Sequence, residues 1–250
     1  MEKTRYYSGT SGLLLPVPNK AFYPEAFQER SRLHYYASMR NSIEINSSFY
    51  KIPQSQTIKK WADDVPANFR FTFKLFKGIT HQPGLAFDAH ELAHFMQVVS
   101  NVGEKSGCIL VQFPPSIRIA QLPAIQRLLS ALKTSDPDCK WPIAIEFRHP
   151  SLYVADVYAM LEDGGFAMVI HDKGISTSPF ENKGAGPVYI RFHGPEGNYR
   201  GSYESDVLYE YAGYIRDWLA EGKSVYVYFN NTMGNVHANL ELLNQFVSSD

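Results

Sequence analysis

The sequence predicts an α/β protein folded as a single (β/α)8 TIM-type barrel, and three observations carry that prediction. Short β-rich runs alternate with helix-like stretches from one end of the chain to the other, as βαβ crossovers and a parallel sheet require. There are eight such runs in 250 residues, the usual size of a closed barrel. Neither G-x-G-x-x-G nor G-x-x-x-x-G-K occurs, which removes the first-turn signature of the competing open, doubly wound sheet.

The strand candidates are 5–9, 42–47, 69–75, 107–113, 142–147, 166–171, 187–193 and 224–230. Each is rich in Val, Ile, Phe and Tyr, the residues that fit a pleated, buried surface. Between them, apolar residues recur at helical spacing over 24–39, 54–62, 88–102, 122–132, 152–163, 204–220 and 235–246. The sixth unit is irregular. Residues 172–187, DKGISTSPFENKGAGP, are rich in Gly, Ser and Pro and lack a helical period, so the sixth helix is expected to be missing or reduced to a turn. A long loop at that position reads equally as an active-site lid or as a variable connection. No composition shift marks a linker, and one domain over 1–250 is expected.

Composition excludes several classes. Hydrophobic residues make up 44% and aromatics 14%, which is incompatible with disorder. Lys plus Arg (24) nearly cancels Asp plus Glu (25), so bulk charge does not hold this chain on nucleic acid or an anionic membrane. Two cysteines, Cys108 and Cys139, cannot form a disulfide framework or a four-cysteine zinc site. The start has no apolar signal region and no run reaches the length of a membrane span, so a soluble cytoplasmic protein without a membrane partner is expected. The sequence sets no oligomeric state.

Side-chain direction then locates a candidate site. Barrel strands are covered on both faces and should be almost wholly apolar, yet these alternate. Glu44 and Asn46 oppose Ile43 and Ile45, Lys74 opposes Phe73 and Leu75, and Gln112 opposes Val111 and Phe113. Glu146 and Arg148 oppose Ile145 and Phe147, Arg191 and His193 oppose Ile190 and Phe192, and Tyr228 and Asn230 oppose Val227 and Phe229. Because successive side chains point to opposite faces, the polar set should share the barrel interior. It gathers at the C-terminal strand ends, where barrel enzymes build their sites. Glu44 and Glu146, from strands two and five, are candidate acid and base, joined by His193. Lys74, Arg148 and Arg191 make an anionic ligand the natural partner. The bland alternative is an internal salt-bridge lattice that merely fills the barrel. Tyr50, Tyr199 and Tyr203 offer a stacking wall, whereas Phe49 reads as core filler.

Other chemistries fit less well. No cofactor is required by the sequence. A divalent metal on Glu44, Glu146 and His193 is conceivable, without any tight ligand spacing to support it. His90-Glu91-Leu92-Ala93-His94 matches H-E-x-x-H, but the extended zinc-protease pattern fails at Gln97 and Ser100. That segment reads as a solvated face of the helix after strand three. No G-x-S-x-G elbow is present, and Cys108 reads as an inert core thiol.

The strand ends also carry ordered motifs: GTSG at 9–12, FYP at 22–24, EINSSFY at 44–50, FTFK at 71–74 and ITH at 79–81. QFPPS at 112–116, EFRHPS at 146–151, RFHG at 191–194 and YFNN at 228–231 follow. Together they resemble the YecE-like family, domain-of-unknown-function family 72, over essentially the whole chain. The resemblance implies a TIM-type barrel and no particular reaction. It directs attention to Glu44, Asn46, Tyr50, Lys74, His81, Gln112, Glu146, Arg148, Arg191, His193, Asn230 and Asn231. Two positions depart from the family pattern: Leu152 stands where Trp is usual, and Thr232 where an acidic residue follows the Asn pair. The favoured expectation is an enzyme acting on an anionic or phosphorylated, sugar-like small molecule by carboxylate acid–base chemistry. Two alternatives are a phosphodiester or nucleic-acid enzyme resembling barrel abasic-site endonucleases, and a non-catalytic ligand-binding or regulatory barrel.

Overall fold

The structure, a computed structural model, describes residues 5–249. Eight parallel strands form the barrel: β1 (Tyr6–Thr10), β2 (Ser42–Ile45), β3 (Arg70–Lys74), β4 (Ser106–Gln112), β5 (Ile143–Glu146), β6 (Ala167–His171), β7 (Val188–Phe192) and β8 (Val225–Phe229). They pair in sequence order from β2 to β8, and β8 pairs with β1 in register from Tyr6–Val225 to Thr10–Phe229. All eight expected strands are present, within a few residues of their expected limits.

Seven helices of eight residues or more sheathe the described barrel: α1 (Arg32–Met39), α2 (Ser55–Asp63), α3 (Ala89–Val99), α4 (Leu122–Thr134), α5 (Ala155–Gly164), α6 (Ser205–Ala220) and α7 (Val236–Ser248). Their apolar stripes pack on the outward residues of the strands, such as Ile43, Phe71, Phe73, Val111 and Ile145 on one side and Ile190, Val227 and Phe229 on the other. The first helix is half the expected length. Residues 24–31 instead form a 3-10 turn at Glu25–Phe27, and Ser31, accepting from the His34 N–H, caps a helix that starts only at Arg32.

No helix follows β6. After a turn at Gly174–Ser176 the chain descends along β6, its hydrogen bonds moving from His171 (Ser178 N–H to His171 O, 3.0 Å) to Met168 (N–H to Lys183 O, 3.1 Å) and Phe166 (O from Gly186 N–H, 3.2 Å). Phe180 anchors this segment to α6 against Tyr211 and Tyr214, with ring centroids 5.2 and 4.6 Å apart. Residues 172–187 therefore stand in for the missing helix. Their first residues reach the mouth, where Asp172 meets His193 and Lys173 Nζ lies 3.8 Å from the centre of the Tyr199 ring.

The seam between β1 and β2 is built differently from the other seven. Direct backbone pairing is confined to the Ser11–Glu44 bridge, with the Gly12 N–H donating to Glu44 O at 2.8 Å. Below it, side chains complete the join. The Tyr36 hydroxyl accepts from the Thr10 N–H (2.8 Å) and donates to Ser42 O (3.0 Å). Asn41 accepts from the Ser8 N–H and donates to Tyr6 O, both at 2.9 Å. Gly9 is required here, because a β-carbon would lie 2.0 Å from Ser42 O.

Inside, the barrel is filled from its N-terminal end by Tyr7 stacked on Tyr226 (4.8 Å), then by Cys108, Leu110, Ala144, Val169 and Tyr189. The Tyr228 hydroxyl bridges Ser42 Oγ (2.6 Å) and Thr72 Oγ1 (2.8 Å) across the axis. The interior below the strand ends is packed, which leaves the upper layer for charge. No described helix is long and apolar enough to cross a membrane.

Candidate functional site

The predicted inward charges do meet. Arg191, on β7, lies between the carboxylates of β2 and β5, donating from Nη2 to Glu44 Oε1 (2.7 Å) and from Nη1 to Glu146 Oε2 (2.5 Å). Glu44 Oε2 accepts from the Tyr189 hydroxyl at 2.6 Å, and Oε1 also accepts from Ser11 Oγ. Glu146 Oε1 is held by Nε and Nη2 of Arg148. All four carboxylate oxygens are thus engaged, in a layer where Glu44, Glu146 and His193 are 0% and Arg191 1% exposed. Burial opposes ionisation of Glu146, but Arg191 and Arg148 outweigh it and hold its carboxyl well below the usual range. Glu146 is therefore ionised near neutral pH. A divalent cation does not fit between the two glutamates, because a guanidinium already bridges them. Among the described residues no three His, Cys, Asp or Glu side chains form a metal cradle.

His193 is locked beside this lattice. Its Nε2 is 3.3 Å from both Arg148 Nη2 and Arg191 Nη1, and its Nδ1 is 3.3 Å from Asp172 Oδ1. A nitrogen facing two guanidiniums must accept, so Nδ1 carries the proton and donates to Asp172. Burial, with the adjacent Arg191 and against the pull of Asp172, lowers the His193 pKa and keeps the ring neutral. Asp172 also accepts from the His193 backbone N–H (2.7 Å) and from the buried Tyr203 hydroxyl, which itself accepts from the Gly194 N–H at 2.6 Å. Tyr203 is therefore a buried strut for Asp172, and offers no stacking wall.

Above the lattice the side chains are half-buried, among them Asn46, Lys74, Gln112, Arg148 and Asn230. Lys74 ends β3 with its Nζ 2.7 Å from Gln112 Oε1 and 4.2 Å from the centre of the Phe49 ring. A one-turn helix, Ser47–Tyr50, delivers Phe49 to this place because Ser48 Oγ ties it down, 2.7 Å from both the Ile45 and Lys74 carbonyls. Phe49 is consequently the floor under an ammonium group and lies outside the core. Among the described residues no carboxylate lies within ion-pair distance of Lys74. Burial, and the nearby Arg191, bring its pKa down to about 8. Asn46 donates to Ser11 Oγ (2.5 Å) and leaves its buried Oδ1 without a partner.

The remaining predicted positions are spread along the rim or below it. His81 meets Phe49 edge-on at 5.0 Å and Thr80 Oγ1 at 2.8 Å. Desolvation, with Lys74 and Lys77 nearby, lowers its pKa to about 4. Tyr50 is exposed, edge-on to Phe49. Asn230 is half-buried at the end of β8. Asn231 is fully buried, and its amide donates to Gly201 O (3.1 Å) and Asn239 Oδ1 (3.2 Å), so it fixes the loops after β7 and β8 to each other. His90 and His94 sit exposed on the outer face of α3, where no third ligand joins them.

Three members of the constellation were not singled out from sequence: Ser11, Asp172 and Tyr189. Tyr189 shares its parity with Arg191 and His193, so strand alternation contained that signal. Ser11 shares its parity with the inward Tyr7, whereas Asp172 lies one residue beyond β6 and out of step with the inward Val169.

Comparison with known proteins agrees with this architecture. The chain is similar to the UPF0759 protein YunF of Bacillus subtilis strain 168, at 26% identity over 248 residues, covering 86% of this chain and 85% of that protein. It is also similar to the UPF0759 protein YecE of Escherichia coli K12, at 24% identity over 144 residues, which is 58% of this chain and 50% of YecE. Among solved structures, a DUF72 family protein from Enterococcus faecalis V583 superposes with a TM-score of 0.81 at 23% identity, covering 98% of this chain and 96% of that one. One from Thermotoga maritima MSB8 gives 0.69 at 20% identity, covering 98% and 100%. The family model described as "Protein of unknown function DUF72" matches residues 7–247, from the first barrel strand to the last helix, and the chain belongs to that family.

Proposed function

We propose that the C-terminal mouth of the barrel is the active site of an enzyme acting on a small anionic molecule, of the carboxylated or phosphorylated, sugar-like kind. One observation carries this reading. The lattice engages every oxygen of Glu44 and Glu146 with Arg191, Arg148, Ser11 and Tyr189, and leaves Lys74 at the open end with only a neutral amide and an aromatic face. A half-buried cation without a counter-ion attracts an anion. The Oδ1 of Asn46 supplies an unused acceptor nearby.

Roles divide accordingly. Glu146, held ionised between two guanidiniums, cannot release or take a proton near neutrality. The acid–base work passes to Lys74, whose pKa burial brings down to about 8. Glu44, Glu146 and Arg191 form the rigid base on which the rim stands.

Lys74→Met tests the reading. A charge-assisted hydrogen bond is worth about 1.5–3 kcal/mol, so binding of inorganic phosphate or pyruvate, measured by titration calorimetry, should weaken roughly 10- to 100-fold. The urea midpoint should hold or rise, since a desolvated charge has been removed. Equal binding by variant and parent would overturn the proposal.

A further inference from the structure

We propose that Lys74 is a nucleophile that forms an iminium with a small aldehyde or ketone carrying a carboxylate or phosphate group. This rests on the mouth being an anion site and names the chemistry done there.

The argument begins with what holds each cation. Arg191 lies between two carboxylates and Arg148 on one, but among the described residues Lys74 has none within ion-pair distance. A half-buried ammonium ion with Gln112 Oε1 as its one hydrogen-bond partner among the described residues is only partly compensated, by that amide and the Phe49 ring, for its loss of water. Such surroundings raise the share of free amine, although the ammonium stays the major form near neutral pH. The two guanidiniums add repulsion, against which the glutamates, already engaged, act only at a distance. With a pKa of about 8, about a tenth of the molecules carry the free amine at pH 7, against well under about a thousandth for an ordinary lysine. Desolvation beside other cations is how an enzyme makes a lysine attack a carbonyl. An anionic group on the substrate would answer the same positive field.

The step balances without an oxidant or reductant. The Nζ lone pair adds to the carbonyl carbon while the C=O π pair goes to oxygen. The proton released from nitrogen moves to that oxygen to give a carbinolamine. A second proton, taken from solvent, lets the hydroxyl leave as water as the nitrogen lone pair closes the C=N bond. Amine, carbonyl and one proton become iminium and water.

The whole chain, incubated separately with pyruvate, glyoxylate and dihydroxyacetone phosphate and reduced with borohydride, tests this. The intact mass and the peptide map are the readouts, and Lys77, three residues away on the same rim, is the internal control. At least one probe should give a single reduced adduct on Lys74, at least about 10-fold above the exposed Lys77. Lys74→Arg should still bind the anion in a calorimetric titration and give no such adduct. If at least one probe binds and none modifies Lys74 above Lys77, the iminium is overturned while the anion site stands. If no probe binds and the lysines react alike, both readings fall. The parent protein's peptide map alone decides the matter should the variant not fold.

Discussion

Arg191 is the residue on which the charged layer depends. A guanidinium shared by two fully buried carboxylates satisfies both with one side chain, and its planar fork holds them in fixed directions. Removing one partner from a buried ion pair strands the other charge, at a cost of about 3–5 kcal/mol. Arg191→Met should therefore lower the unfolding free energy by at least that amount in urea titrations. Arg148→Met should cost less, because Arg148 is partly exposed and Glu146 keeps its second guanidinium. Equal losses from the two variants would contradict this ranking. The distinction between the three cations was invisible in the sequence. Alternation placed Lys74, Arg148 and Arg191 on one face, but which of them reaches the glutamates depends on side-chain length and on the stagger of the strands around the barrel.

At the scale of elements, strand existence and facing were legible, because eight β-rich runs with inward polar parity admit few other packings. The absent sixth helix was legible too, from the lack of a period in 172–187. The β1–β2 seam was not. Tyr36 reads as one more large residue on the buried face of α1, and nothing local shows that its hydroxyl replaces a rung of the sheet ladder. Tyr36→Phe leaves the Thr10 N–H and Ser42 O buried without that partner, and should destabilise the protein by about 1–3 kcal/mol. Amide hydrogen exchange should quicken at Thr10 well before it does at the β3–β4 ladder. Unchanged protection at Thr10 would show that the hydroxyl is dispensable. The H-E-x-x-H match failed at this scale also: the spacing is real, but the helix turns both histidines outward.

For the whole molecule, buried histidines tie stability to pH. His171 is 3% exposed, with Nε2 3.0 Å from Phe147 O and 3.2 Å from the Tyr153 hydroxyl, and Glu146, Arg148 and His193 surround it. Desolvation, against the pull of Glu146, lowers its pKa to about 4. The unfolded chain then binds a proton that the folded one refuses, so stability is fully present above the ordinary histidine pKa and lost as pH falls from there through about 4. At about 1.36 kcal/mol per pKa unit the loss approaches about 3 kcal/mol. His193 adds to it with the same sign, and Glu146 continues it at lower pH. Urea midpoints should decline between pH 6.5 and 4.5, before most carboxylates titrate, and His171→Gln should flatten that decline. A midpoint level down to pH 4.5 would refute the assignment.

The stitched seam also bears on how the cylinder is made. β1 has its one full ladder with β8, more than two hundred positions away along the chain. Toward its sequence neighbour it has little more than a hydroxyl, an amide and one bridge. The first strand of the barrel must wait for the last before its edge is covered. Closure of the barrel thus waits on residues 225–229, and a barrel lacking them would carry an open flank for other molecules to adhere to.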